Sequence, residues 1–252
     1  MVMVVCHYAI VGRDCHCCSD SRHCCSDSSV CRLVQEVIYI AKAQLETLSA
    51  LRNVSPSIVS HGGNYLIAQN TSKTLFLYAD NFGLPSCYLY DVVLLISAAK
   101  SLGDVLVIPD EKGLTLQADK AKIYIAFSDN RLNAITLPAD PPVRNGIMAE
   151  FDMKKDQYTQ IINLSSNLGI EMVKFNFSET GVSVDSTESR KDNRSKSNKF
   201  SVQLNETSYP EFSVNLSVEL LKSLNKTDYK VDINEKSFRF SSEGRSYYMA
   251  KF

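Results

Sequence analysis

The residues best suited to chemistry crowd the first 31 positions. Cys6, Cys15, Cys17, Cys18, Cys24, Cys25 and Cys31 are seven of the eight cysteines, and His16 and His23 each precede a Cys-Cys pair in HCCSDSRHCCSDSS (16–29). Zinc takes four Cys or His ligands in a tetrahedron, usually from two spaced pairs. His16, Cys17, Cys18, Cys24 and Cys25 therefore offer a ligand set. Two features argue against it. Adjacent cysteines do not easily reach one ion from a single knuckle, since about two to four residues normally separate ligands. HCCSDS also repeats unchanged at a period of seven, as a duplicated tract would, in a segment lacking apolar residues to fold around an ion. The expectation is no metal site, and a Cys-rich extension over 1–37 that is disordered or spurious. A redox-sensitive tail is the remaining reading.

Beyond that head, catalytic groups are scarce. His7, His16, His23 and His61 are the only histidines. His61-Gly62-Gly63 lacks the spacing of a phosphate-cradling loop. No Ser or Cys of the body has a neighbouring His to activate it, and Asp110-Glu111 sits in a turn, where acids are solvated. The expectation is a protein that is not an enzyme and needs no cofactor. A formal net charge of −1 excludes a bulk polycation, so any nucleic-acid contact must come from charge placed on one face. No apolar run approaches the roughly 18 residues of a bilayer span, and Met1–Val5 is too short for a signal-peptide core. These features predict a soluble intracellular protein without a membrane partner.

The elements of the body fall into a tandem repeat. AKAQLETLSALRNV (41–54) spaces Leu45, Leu48 and Leu51 as a helix. NYLIAQ (64–69) and KTLFLYAD (73–80) alternate as a hairpin. YDVVLLISAAKSLG (90–103) is a second helix closed by Gly103, followed by strands in DVLVIPD, KGLTLQAD and AKIYIAFSD. The theme then returns. A helix over 151–169 ends at Gly169, strands follow in EMVKFNFSE, GVSVDSTE and KFSVQL, a helix spans 214–226, and YKVDIN, KSFRFSS and SYYMAKF are three strands. DEKGLTLQ (110–117) stands against NEKSFRFS (234–241), and KAQLETLSAL (42–51) against KDQYTQIINL (155–164). LPADPPVRNG (137–146), with three prolines, lies between them as a linker. The predicted organisation is α+β, with one domain over 38–136, a linker over 137–147 and a second domain over 148–252. In each, two helices cover an antiparallel sheet. Two halves side by side leave one open sheet edge at each end. Such edges invite pairing with another copy, and head-to-tail pairing closes into a ring when the angle divides a full turn.

The body resembles the DNA polymerase sliding clamps, most closely those of tailed phages related to the T-even group. The stretches that carry the resemblance are KAQLETLSALRNVSPSIV, LYDVVLLISAAKSLGD, KGLTLQADKAKIYIAFSDNRLNAITLP, VNLSVELLKSLNKTDYKVDINEKSF and RSYYMAKF, covering about residues 38 to 252. The resemblance implies a closed homotrimeric ring with the DNA-clamp fold, its helices lining a hole that duplex DNA threads without sequence preference. It implies a processivity factor that tethers the replicative DNA polymerase, is opened by an ATP-driven clamp loader, and works in viral DNA replication in the cytoplasm of an infected bacterium; late-transcription factors are further partners in such phages. A sliding ring needs Lys and Arg on its hole-facing helices, and Lys42, Arg52, Lys100, Lys154, Lys155, Lys222 and Lys226 fall there. Glu46, Asp156 and Glu219 share those helices, so the attraction is modest. Clamps of this kind also bind partner peptides near the linker, for which Leu132, Ile135, Leu137, Pro138, Tyr247 and Met249 are the candidates. The basic stretch STESRKDNRSKSNK (186–199) reads as a mobile loop. A ring-forming phage structural protein, or a metal-binding regulatory protein using the Cys-rich head, are the alternatives.

Overall fold

The computed structural model describes residues 38–128, 137–187 and 199–252. From Glu36 to the C-terminus the chain makes one compact unit, and its elements run through the same order twice. The first pass is β1 (Ile38–Ile40), α1 (Lys42–Val54), β2 (Ile58–His61), β3 (Tyr65–Gln69), β4 (Leu75–Asp80), β5 (Ser86–Leu89), α2 (Val92–Leu102), β6 (Val105–Pro109), β7 (Gly113–Ala118) and β8 (Ala121–Ala126). The second is β9 (Ala149–Met153), α3 (Lys155–Leu168), β10 (Met172–Ser178), β11 (Gly181–Ser186), β12 (Ser201–Asn205), β13 (Phe212–Ser217), α4 (Val218–Lys222), β14 (Tyr229–Ile233), β15 (Ser237–Ser242) and β16 (Arg245–Ala250). The architecture is α+β, as the sequence predicts.

Local chemistry repeats along with the order. The amides preceding α1 and α3 are capped alike: Ala41 N–H donates to Gln44 Oε1 at 3.1 Å and Lys154 N–H to Gln157 Oε1 at 2.8 Å. Gly169 ends α3 in the left-handed region, at φ 68°, where its N–H reaches back to the last turn.

Two helices differ from the sequence expectation. FDM of the helix expected over 151–169 belongs to β9, where Ala149, Phe151 and Met153 are buried and Glu150 and Asp152 exposed. That alternation is the period of a strand. VNLS of the helix expected over 214–226 likewise belongs to β13, and the helix stops at Lys222 short of Lys226, so α4 is only five residues long. Strands β1, β2 and β5 also escaped the sequence reading, because three or four residues are too few to show a period.

The strands form three antiparallel sheets. Two have four strands, in the orders β1-β6-β7-β8 and β12-β11-β10-β13. The third runs β5-β2-β3-β4-β16-β15-β14-β9 and draws on both passes. It exists because β4 pairs with β16, in a register from Leu75 opposite Met249 to Ala79 opposite Arg245. The sheets of each pass enclose a core, and the helices pack over them: α1 on β3 and β4, α2 on β7 and β8, α3 on β12 and α4 on β13. Leu75, Leu77, Tyr247 and Met249 point inward at the β4–β16 junction and are fully buried or nearly so. Each apolar side chain so buried contributes about 1.5–3 kcal/mol, so the two passes are held as one body.

Three tyrosines make the core sensitive to high pH. Tyr158, Tyr229 and Tyr247 meet edge to face in two pairs, with ring centroids 6.2 and 6.1 Å apart. Tyr158 OH reaches the carbonyls of Leu221 (3.0 Å) and Leu224 (3.1 Å), tying α3 to the end of α4. Burial pushes the Tyr158 and Tyr247 phenols up to about 12, and Tyr229 further, against 10.0 for a free phenol. The unfolded chain ionises these groups first, so the stability they confer is complete below pH 10 and is lost as pH climbs toward 12. Melting temperature should hold up to about pH 9.5 and fall steeply above it. Tyr158→Phe should lower stability near pH 7 by about 1 kcal/mol and flatten the alkaline fall. A melting temperature independent of pH up to 11.5 would contradict this account.

Candidate functional site: open strand edges, basic helix faces and the linker groove

Six strands end a sheet among the described residues, β1, β8, β12, β13, β5 and β9, and two of them differ from the rest because their counterparts in the repeat are paired on both sides. β8 ends one four-stranded sheet and β12 ends the other. Their places in the repeat are telling. β8 occupies in the first pass the place of β16 in the second, and β12 occupies that of β4. The two strands that pair with each other inside the chain thus have counterparts that are paired on one side only, β8 to β7 and β12 to β11. The counterparts keep the same in-out alternation. Ile125 of β8 and Val202 and Leu204 of β12 turn into the core, while Lys122, Tyr124, Ser201 and Gln203 face out. An unpaired row of backbone N–H and C=O groups is a template for another strand.

The helices present the basic residues. Lys42, Arg52, Lys100, Lys154, Lys155, Lys222 and Lys226 are all solvent-exposed. The repeat makes two of the positions recur. Lys42 and Lys155 are each the first residue of their helix, and Lys100 of α2 stands where Lys226 stands after α4. Lys226 lies in the turn beyond α4, because that helix stops at Lys222. Lys154 precedes α3 and is partly neutralised: its Nζ lies 3.4 Å from Asp228. Asp228 also accepts from the Lys155 amide at 2.8 Å. That backbone hydrogen bond, helped by the charges of Lys154 and Lys155, holds the Asp228 carboxyl below the usual range. Among the described residues, the other six basic side chains make no ion pair.

The linker crosses the outward face of the eight-stranded sheet. Register lines up Ser246, Tyr78, Ile67, Val59 and Tyr88 as one row across β16, β4, β3, β2 and β5. Leu137 packs onto that row and onto Tyr248, with Tyr65 and Phe76 at its margin. Tyr78 stands edge-on to both Tyr65 and Tyr248. A His61 ring nitrogen lies 3.0 Å from the Leu137 carbonyl, and Tyr78 OH donates to the Pro138 carbonyl at 3.3 Å. Burial, then the neighbouring Tyr248 and Asp140, raise the Tyr78 phenol.

The far end of the linker is fixed by charge. Asp232 of β14 is fully buried. Arg144 Nε donates to Asp232 Oδ1 at 2.8 Å, and its other nitrogens reach the Ser237 hydroxyl and the Asp232 and Ser237 carbonyls. Arg239 donates to the second oxygen, Oδ2. Between these two anchors the linker is mostly exposed, with Val143 at 85%.

The six candidate groove residues therefore separate. Leu137 and Pro138 lie at the linker face. Leu132 and Ile135 lie outside the described residues. Tyr247 and Met249 are fully buried on the opposite face of β16, in the main core. Strand alternation explains this, since the residue between them, Tyr248, is the one that faces the linker. Tyr78, Tyr248, Arg144 and Asp232 escaped sequence reasoning, because nothing local says that a linker will cover that face. The Cys-rich head and most of the 186–199 stretch also lie outside the described residues. Among those described, no three His, Cys, Asp or Glu side chains converge to hold a metal ion, and no helix is long and apolar enough to cross a membrane.

No protein-family model and no curated protein matches the sequence. Solved structures do match, and they share one fold. A. fulgidus PCNA, bound to the C-terminal region of FEN-1, superposes with a TM-score of 0.63 at 13% identity, over 86% of this chain and 98% of its own. The PCNA2–PCNA3 complex of Sulfolobus tokodaii matches with a TM-score of 0.60 at 11% identity, over 86% and 99%. The Helicobacter pylori beta clamp, bound to a DNA ligase peptide, matches with a TM-score of 0.61 at 15% identity. Here 86% of this chain covers 65% of that one. The fold is that of the sliding clamps.

The linker anchor gives a direct test. Removing Arg144 leaves a buried carboxylate with one partner instead of two. Arg144→Ala should cost about 3 kcal/mol in urea unfolding of the full chain. Arg144→Lys should recover only part of it, because a point charge cannot replace a planar fork. A loss under 1 kcal/mol for Arg144→Ala would contradict the anchoring role.

Proposed function

We propose that this chain is the sliding clamp of a tailed phage related to the T-even group. It assembles as a homotrimeric ring around duplex DNA and tethers the replicative polymerase. The observation that carries this reading is the β4–β16 junction, together with the open β8 and β12 edges that repeat its two sides. If β8 of one copy pairs with β12 of the next, each seam between copies reproduces the junction inside each chain. Such head-to-tail contact is heterologous and closes when the turn per copy divides a circle. The halves 38–136 and 148–252, joined by the 137–147 linker, act as the two repeats, and the resemblance to phage clamps sets the count at three chains.

The helix faces suit the hole of that ring. Lys42, Lys155, Lys100 and Lys226 occupy two repeated positions, so three chains present each position six times. Flexible exposed lysines exchange phosphates as the ring moves and read no bases. The ring itself does no chemistry. Partner segments enter the groove beside Leu137 and Pro138, where Tyr78, Tyr248 and Phe76 offer an apolar floor. PCNA and the beta clamp in the structures above are bound to segments of FEN-1 and DNA ligase. The corresponding partners of this chain are the phage polymerase, an ATP-driven loader and late-transcription factors, in the cytoplasm of the infected bacterium.

The test is replacement of Lys42, Lys100, Lys155 and Lys226 by Ala together. All four are exposed, so each should change stability by less than about 0.5 kcal/mol. Product length in polymerase extension of primed circular DNA should fall, and DNA retention should lose salt dependence by roughly 0.9 per phosphate contact removed. Unchanged product length with unchanged salt dependence would show that these helices do not face DNA.

A further inference from the structure

Each pass of the repeat carries an outward sheet face, and the two faces have opposite chemistry. Strand pairing fixes which positions correspond. β1 and β9 each run into the residue that precedes a helix, so Ile40 opposite Val105 stands with Met153 opposite Tyr229. Counted from those pairs, Tyr39 stands with Asp152, Leu106 with Lys230, Ile108 with Asp232, Thr115 with Arg239 and Tyr124 with Tyr248.

The second-pass face is ionic, and the chain itself covers part of it. Arg144 of the linker reaches Asp232, and Leu137 packs on Tyr248. Lys230 pairs with Glu150 at 2.8 Å. In the first pass each of these charges is replaced by an uncharged residue. Tyr39 is 48% exposed, Leu106 39% and Tyr124 52%, so their side chains stay open to solvent. Ile108 lies half-buried on the same face of β6 as Leu106. Exposed apolar residues grouped on one face mark a contact surface, whereas scattered single ones do not.

One charge on this face is unspent. Register sets Tyr39, Leu106, Gln117 and Lys122 in a row across β1, β6, β7 and β8. Lys122 is exposed and makes no ion pair among the described residues. Asp110, in the β6–β7 turn, is held by its own loop. Its Oδ1 accepts from the Lys112 and Gly113 amides at 2.7 and 2.8 Å, and its carboxylate also takes the Tyr124 hydroxyl.

We propose that this face is a docking surface, separate from the linker groove, for an extended segment of a partner protein that is apolar at its centre and carries carboxylates at one end. The segment crosses the strands as the linker crosses the second-pass face. Its apolar side chains meet Tyr39, Leu106 and Ile108, with Ile108 receiving an apolar group where Asp232 receives Arg144. Its carboxylates meet Lys122. Side chains stand perpendicular to the hydrogen-bonding direction of a sheet, so the face stays open whether or not another copy pairs with β8.

Fluorescence anisotropy on the full chain tests this with two synthetic peptides, fluorescein-labelled and amidated at the C-terminus. Both carry the same leucine and phenylalanine core, one ending in two aspartates and the other in two lysines. The aspartate peptide should bind wild type about threefold more tightly than the lysine peptide. Lys122→Glu should reverse that preference. Leu106→Lys should keep the wild-type circular dichroism and weaken both peptides about tenfold. The added charge alone would strengthen binding of the aspartate peptide, so its loss isolates the apolar contact. Unchanged affinity in Leu106→Lys would put the peptides elsewhere on the chain and overturn the proposal. Failure of both peptides to bind wild type overturns it too. A fall in solution mass with Leu106→Lys also overturns it, since the face would then be a contact between copies.

Discussion

The pairing of β4 with β16 is the constraint on which the rest of the molecule depends. It fuses strands from both passes into one eight-stranded sheet. It turns Leu75, Leu77, Tyr247 and Met249 into a shared core. It also aligns the outward row of Ser246, Tyr78, Ile67, Val59 and Tyr88 on which the linker rests. A one-residue slip in this register would move Tyr248 inward and Tyr247 outward, because side chains alternate across a strand. Core and linker face would be lost together. The same pairing leaves β8 and β12 as the two sides that a further copy could complete.

The linker is held by two kinds of contact, and they do different work. Leu137 packs onto aromatic and aliphatic side chains, so its end can be displaced by another apolar group at modest cost. Arg144 and Arg239 bracket the buried Asp232 carboxylate, and separating such a group from its partners is expensive. The linker is therefore fixed at one end and yielding at the other.

Much of the fold was legible because the sequence states it twice. KAQLETLSAL against KDQYTQIINL marked a pair of equivalent helices, and DEKGLTLQ against NEKSFRFS a pair of equivalent turns. What failed were elements whose signal is shorter than their period. FDM reads as easily in a helix as in β9, and VNLS as easily in α4 as in β13, because three or four residues cannot separate a period of 3.6 from one of two. The basic helix residues were readable, since exposure follows from being off the apolar stripe. The groove was half readable. Leu137 and Pro138 announce a linker, but Tyr247 and Met249 were set on the wrong face of β16 until its pairing with β4 fixed which way it points. Asp232 looks like any solvated strand acid until Arg144 arrives from 88 residues away.

The measurement that bears most directly on the central claim is the solution mass of the full chain by light scattering across a concentration range. The account predicts a plateau at three times the 28.1 kDa chain mass, approached from below as seams fill head-to-tail. A plateau at the single-chain mass, or at twice it, would contradict the proposal that the β8 and β12 edges complete each other around a closed ring of three.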